Sequence, residues 1–148
     1  MTGPGIWIRI QHRFGPRMPE WIVALHTVLW GWVLLLPARA YDGQAWAFFR
    51  SLEDANWMSE IQFGWLMLLL GLARFGGLIV NGARKTVTPW IRVFSAAVGF
   101  FMWVGISYSF AQSGVISTWL AIYPVIAGVE LLNIWRAAHD VGEGYGSP

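Results

Sequence analysis

Charges are so sparse in this sequence that four stretches run almost uninterrupted: residues 21–37, 61–80, 90–110 and 114–138. At 1.5 Å per residue, about 20 mostly apolar residues carry a helix across a bilayer, and each stretch is near that length. Hydrophobic residues make up 56% of the chain and charged residues only 12%, about half the charge of a soluble domain. A soluble bundle would need polar helix faces, and these runs have none. They also lack the strict two-residue alternation of barrel strands, and helices satisfy their own backbone hydrogen bonds in lipid. The expected fold is therefore all-α, an integral membrane four-helix bundle forming a single domain over 1–148. Residues 1–20 are expected to be a basic flank and 139–148 a flexible, glycine-rich tail. Pro89 suits the first turn of the third helix, and Pro124 predicts a kink near Leu120 in the fourth.

Basic residues set the orientation. Arg9, Arg13, Arg17, Arg84, Lys85, Arg92 and Arg136 fall on one side and Arg39 and Arg50 on the other, seven against two. The positive-inside rule then places both termini in the cytoplasm. The leader, the first apolar run and Ala38-Arg39-Ala40 also fit the outline of a cleaved secretory signal. Against that, the run is longer than a signal core and contains tryptophans and a histidine. The basic N-terminal stretch fits a flank resting on the anionic leaflet, with Gly15, Pro16 and Pro19 keeping any helix there short. In the first outer loop, Trp46, Phe49 and Leu52 recur at helical spacing opposite Arg50, Glu53 and Asp54. This predicts a short interfacial helix lying flat on the membrane. Trp21, Trp57, Trp90, Trp119 and Trp135 sit at span ends and read as interfacial anchors.

Arg74 stands inside the second run, about six residues from its inner end, or roughly 9 Å deep. Side chains on a helix lean toward its N-terminus, which here points Arg74 toward the bilayer centre. A central charge costs roughly 2.5–3.5 kcal/mol on insertion scales, so a partner is expected. His26, Ser95, Glu130 and Asn133 fall in the same layer of the other helices, and together with Arg74 they make a candidate intramembrane polar cluster. Glu130 has the opposite charge and is the expected partner. Gly64 and Gly71 share a face, Ala73 and Gly77 lie nearby, and Thr27 with Gly31 and Ser95 with Gly99 offer further close-contact spots.

There are no cysteines, which excludes disulfides and thiolate chemistry. No nucleotide-binding, hydrolase or metalloprotease motif is present. Neither a metal nor any other cofactor is expected, and the indole pattern does not call for nucleic acid. The segment LARFGGLIVNGARKTVTPWIR, with Leu72, Arg74, Asn81, Gly82, Arg84, Thr88, Pro89 and Arg92, resembles a segment of small, uncharacterised four-span membrane proteins encoded by phages and prophages of bacteria. The resemblance implies a multi-pass protein of the bacterial inner membrane and a part in lysis, superinfection exclusion or host-envelope interaction; it carries no catalytic residue. Within this segment, Asn81-Gly82 with the following basic residues and Thr88-Pro89 suit a tight turn between two membrane helices. The expected function is that of a non-enzymatic accessory or scaffold component whose partners are the lipid bilayer and either further copies of itself or another membrane protein. The alternative is a small proton- or ion-conducting protein, including a holin-like pore.

Overall fold

Five α-helices follow one another along the chain: α1 (Ile6–Leu34), α2 (Ala47–Asp54), α3 (Glu60–Val80), α4 (Thr88–Gln112) and α5 (Trp119–Tyr145). The computed structural model describes residues 6–80 and 88–145, with side chains for 17–79 and 90–142, and no strand occurs among the described residues. The expected turn at Asn81-Gly82 lies outside them. Among the described residues, three helices are long and apolar enough to cross a membrane: α3, α4 and α5, with mean hydropathies of 1.4, 1.6 and 1.3. α1 is not among them: it ends at Leu34, before the last residues of the apolar run, so any stretch of spanning length within it takes in Arg17 and Glu20.

Two expectations about the ends of the chain need correction. Gly15, Pro16 and Pro19 do not keep the N-terminal helix short, because α1 is continuous from Ile6. Each proline removes one N–H from the ladder, and the long helix absorbs the loss. Nor is 139–148 a loose tail as far as Tyr145, since α5 continues that far. Asp140, on this extension, is tied to Arg92 of α4. The fourth apolar run also begins later as a helix than as a hydrophobic stretch. Residues 113–118 form a loop with Gly114 in the left-handed region (φ 69°), so Pro124 sits in the second turn of α5.

The turn into α3 is written in local chemistry. Asn56 takes a left-handed conformation (φ 58°) just past α2. Its N–H donates to the Glu53 carbonyl and that of Trp57 to the Leu52 carbonyl, both at 2.9 Å, which closes the helix end. Ser59 and Gln62 then cap α3 reciprocally: Gln62 N–H donates to Ser59 Oγ at 3.2 Å, and Ser59 N–H to Gln62 Oε1 at 2.9 Å.

The four long helices pack as two pairs, α1 along α3 and α4 along α5, with thinner contacts of α1 on α5 and of α3 on α4. Glycine sets the first pairing. A Cβ on Gly31 would lie 2.7 Å from the Gly64 carbonyl oxygen, and one on Gly71 would lie 2.8 Å from the Val28 amide nitrogen, so the backbones touch. Gly76 and Gly77 have no such neighbour. The small pair Ala73 and Gly77 therefore borders a crevice rather than a helix.

The outer half of the core is aromatic. Trp30, Phe63, Trp103, Phe110 and Tyr123 are buried together with Met67 and Ile106. α2 closes this end, with Phe49 stacked on Phe63 at 5.4 Å and Trp46 edge-on to Phe110 at 5.0 Å. The apolar face expected to lie on lipid packs instead on the rings of Phe63 and Phe110.

Candidate functional site

The inner half of the core is built differently, from charge. Arg74 of α3 meets Glu130 of α5 through two parallel contacts, Nη1 to Oε1 and Nη2 to Oε2, the second at 2.8 Å. The Glu130 side chain is 0% exposed and that of Arg74 5%. Asn133, one turn after Glu130, donates from Nδ2 to Glu130 Oε2 at 3.2 Å. Gly99 of α4 makes the room: a Cβ there would stand 2.8 Å from Arg74 Nη1 and 2.9 Å from Glu130 Cδ. The absent side chain is thus the space in which the pair sits. Paired guanidinium and carboxylate forks are the strong form of this contact. In a bilayer they also answer the cost of the two buried charges.

A second buried ionic group lies farther from the α2 end of the bundle, toward the start of α4 and the end of α5. Arg92 of α4 donates from Nε to Glu20 Oε2 of α1 at 2.9 Å, from Nη2 to Glu20 Oε1, and from Nη1 to Asp140 of α5. Glu20 and Arg92 are both buried. α1 packs beside α3 and α5, and α4 likewise, so the two groups cross the bundle on its two diagonals. One joins α3 to α5, and the other joins α1 to α4.

Of the five residues expected in one polar cluster, the structure joins Arg74, Glu130 and Asn133. Ser95 is not part of it, since its hydroxyl donates to the Arg92 carbonyl at 3.2 Å, three residues back on its own helix. His26 is not hydrogen-bonded to the pair either. Its ring lies 5.0 Å from that of Trp103, and its Nε2 is buried without a partner. Depth puts these two in the same layer, but depth does not fix the direction a side chain takes around its helix. The expected anchors also divide. Trp57 is 81% exposed, and Trp90 and Trp135 are also exposed. Trp119 is 45% exposed as well, with its ring stacked on Tyr123 at 5.6 Å, and Trp21 is half-buried against Phe75 at 5.6 Å.

No family model matches this chain, and neither a curated protein nor a solved structure is similar to it. The site must be read from its own geometry. Sequence reasoning missed the Glu20–Arg92–Asp140 group, because Arg92 and Glu20 sit at span edges where charges ordinarily meet water. One available signal was the number of carboxylates on the side richer in basic residues: Glu20, Glu130, Asp140 and Glu143. A third ionic group, at the outer end, was equally unforeseen. Arg39 contacts Glu53 and donates to Glu60 Oε2 at 3.4 Å, while the Ala40 N–H donates to Glu60 Oε1 at 2.6 Å. It ties the first outer loop to the start of α3.

Chemically, the charged groups are spent on one another and the hydroxyls on their own helices, while His26 Nε2, Trp103 Nε1 and Asn133 Oδ1 are buried without a partner. Thr27, Ser107 and Ser109 donate to carbonyls four residues back on their own helices. No group of three or more histidines and acidic residues able to hold a metal occurs among the described residues. Across the outer half, Trp103 is fully buried, stacked on Tyr123 at 5.7 Å and edge-on to Trp30 at 5.9 Å. Trp30 donates to the Tyr123 hydroxyl at 3.2 Å.

Proposed function

We propose that this chain is a non-enzymatic, four-span protein of a bacterial inner membrane, with both termini in the cytoplasm, acting as an accessory or scaffold component through further copies of itself or a membrane-protein partner. α1 is the fourth span in this reading. Its outer half packs closely on α3, Glu20 is buried against Arg92, and His26 is half-buried with its ring against Trp103. The bacterial, phage- or prophage-related setting rests on the resemblance of the Leu72–Arg92 segment.

The observation that carries the reading is the Trp30–Trp103–Tyr123 plug above a set of ion pairs that consume each other. Conduction needs a lining of polar groups or water across the full thickness, and aromatic packing interrupts such a lining here. One observation favours the alternative of a small proton- or ion-conducting protein: His26 keeps an unpartnered ring nitrogen, and histidine titrates near neutral pH. Controlled expression with a membrane-impermeant dye separates the two. An accessory protein leaves cells viable and dye-tight and is recovered from gentle detergent with a stoichiometric partner or as a defined oligomer. A holin-like pore kills the cells and lets dye pass.

A further inference from the structure

The two helix pairs are not equally joined along their length. α1 and α3 touch backbone to backbone at Gly31 and Gly71, and α4 and α5 pack along one another, so each pair forms one closely packed hairpin. The seam between the hairpins has two distinct halves. Outside, it is filled by the rings of Trp30, Trp103 and Tyr123. Inside, a crevice of about 550 Å³ separates α3 from α4, reaching Arg74 and Arg92. Another of about 660 Å³, lined in part by His26 and Arg136, separates α1 from α5. Between the crevices run the two ionic diagonals.

We infer that the two hairpins rock about the aromatic seam, and that Arg74–Glu130 and Glu20–Arg92–Asp140 form the latch holding their inner ends together. Dispersion contacts between interlocked rings are lost with a small separation, so the outer seam resists opening. The ionic half is different in kind. Burying paired charges costs about as much in lost hydration as their attraction returns. At the helix ends, where the Asp140 side chain is already 44% exposed, parting Arg92 from its carboxylates restores part of that hydration, which lowers the cost of opening there. The flanking crevices give the hairpins room to move without forcing close-packed atoms together. Hinged motion of rigid units about a fixed contact is a common form of two-state behaviour.

The chain has no cysteines, so spin labels can be placed at will. One pair replaces Ile22 of α1 and Phe94 of α4 in the inner half, and a second replaces Val33 and Val104 of the same helices in the outer half; all four positions are exposed. In lipid nanodiscs, Arg92→Gln should lengthen the inner distance by about 5 Å, the scale of a one-turn displacement, and leave the outer distance unchanged. An unchanged inner distance, or equal lengthening at both ends, overturns the latch. Should Arg92→Gln not fold, thiol trapping in the latch-intact chain decides the matter. Ala137 in the inner half is 1% exposed and Ala127 beside the aromatic seam 5%. Rocking predicts that Ala137→Cys reacts with a maleimide at least about tenfold faster than Ala127→Cys despite its deeper burial, because local opening sets reactivity. Equal or slower reaction refutes it.

Discussion

Removing one member of the Arg74–Glu130 pair should be worse than removing both, and the two single losses should differ. In Glu130→Leu the Arg74 guanidinium stays among α3, α4 and α5 with its two contacts gone, and it cannot shed its charge. In Arg74→Leu the stranded Glu130 keeps the Asn133 amide at 3.2 Å and can be relieved by binding a proton. Breaking a buried pair from one side costs about 3–5 kcal/mol, while replacing both partners by apolar residues is often near neutral. Gly99 limits this recovery, because two leucines must fit beside a helix that approaches within contact distance of the pair. The expected order of destabilisation is Glu130→Leu, then Arg74→Leu, then the double variant. The double should recover at least about 2 kcal/mol relative to the sum of the singles, a typical coupling for residues in direct contact. Reversible denaturation in mixed micelles measures all four corners of the cycle. Additive losses would refute the reasoning, as would an Arg74→Leu more damaging than Glu130→Leu.

Gly31→Ala should separate α1 from α3 and cost about 1–3 kcal/mol, since its Cβ meets the Gly64 carbonyl and the Leu68 backbone. Gly128→Ala, with nothing within 4 Å, should be neutral or stabilise by up to about 1 kcal/mol in the same denaturation assay. Tyr41 is held neutral by burial first and by the charges of Glu60 and Glu53 second, which push its phenol pKa up. Its contribution to stability is therefore fully present below about pH 10, the ordinary phenol value, and is lost as pH rises above that. Thermal midpoints between pH 9 and 11 should fall less steeply in Tyr41→Phe than in the parent. Reporter fusions at Thr86 and after Pro148 should be active only in the cytoplasm, and one at Asp54 only outside; a Pro148 fusion active outside contradicts α1 as a span.

Much of this architecture is legible in the sequence because lipid leaves helices few alternatives. The run 61–80 and the helix Glu60–Val80 agree almost residue for residue, since Ser59 and Gln62 mark its start with a local capping pattern. Helix ends written in tertiary contacts were harder to see. The extension of α5 to Tyr145 passes through Gly142 and Gly144, and its Asp140 is fixed to another helix through Arg92. The charge of Arg74 announced the need for a partner, and Glu130 was the opposite charge at matching depth. Partners at the edges of spans were signalled only by the number of carboxylates on that side, because Glu20 and Arg92 look the same whether they face water or each other. The outer loop shows the same limit. Its helical spacing was plain, but whether Phe49 meets lipid or Phe63 depends on how the loop folds back.

The account rests on a membrane protein whose inner polar core is closed on itself beneath an aromatic plug. Proton flux into liposomes, compared between the parent chain, Glu130→Gln, His26→Ala and protein-free vesicles under an imposed pH gradient, tests that most directly. The account predicts background flux for all three proteins at equal incorporation, even where a variant folds less well. Rapid flux in the parent chain, abolished by Glu130→Gln or shifted in pH by His26→Ala, would contradict it and make the ionic layer a conduction path.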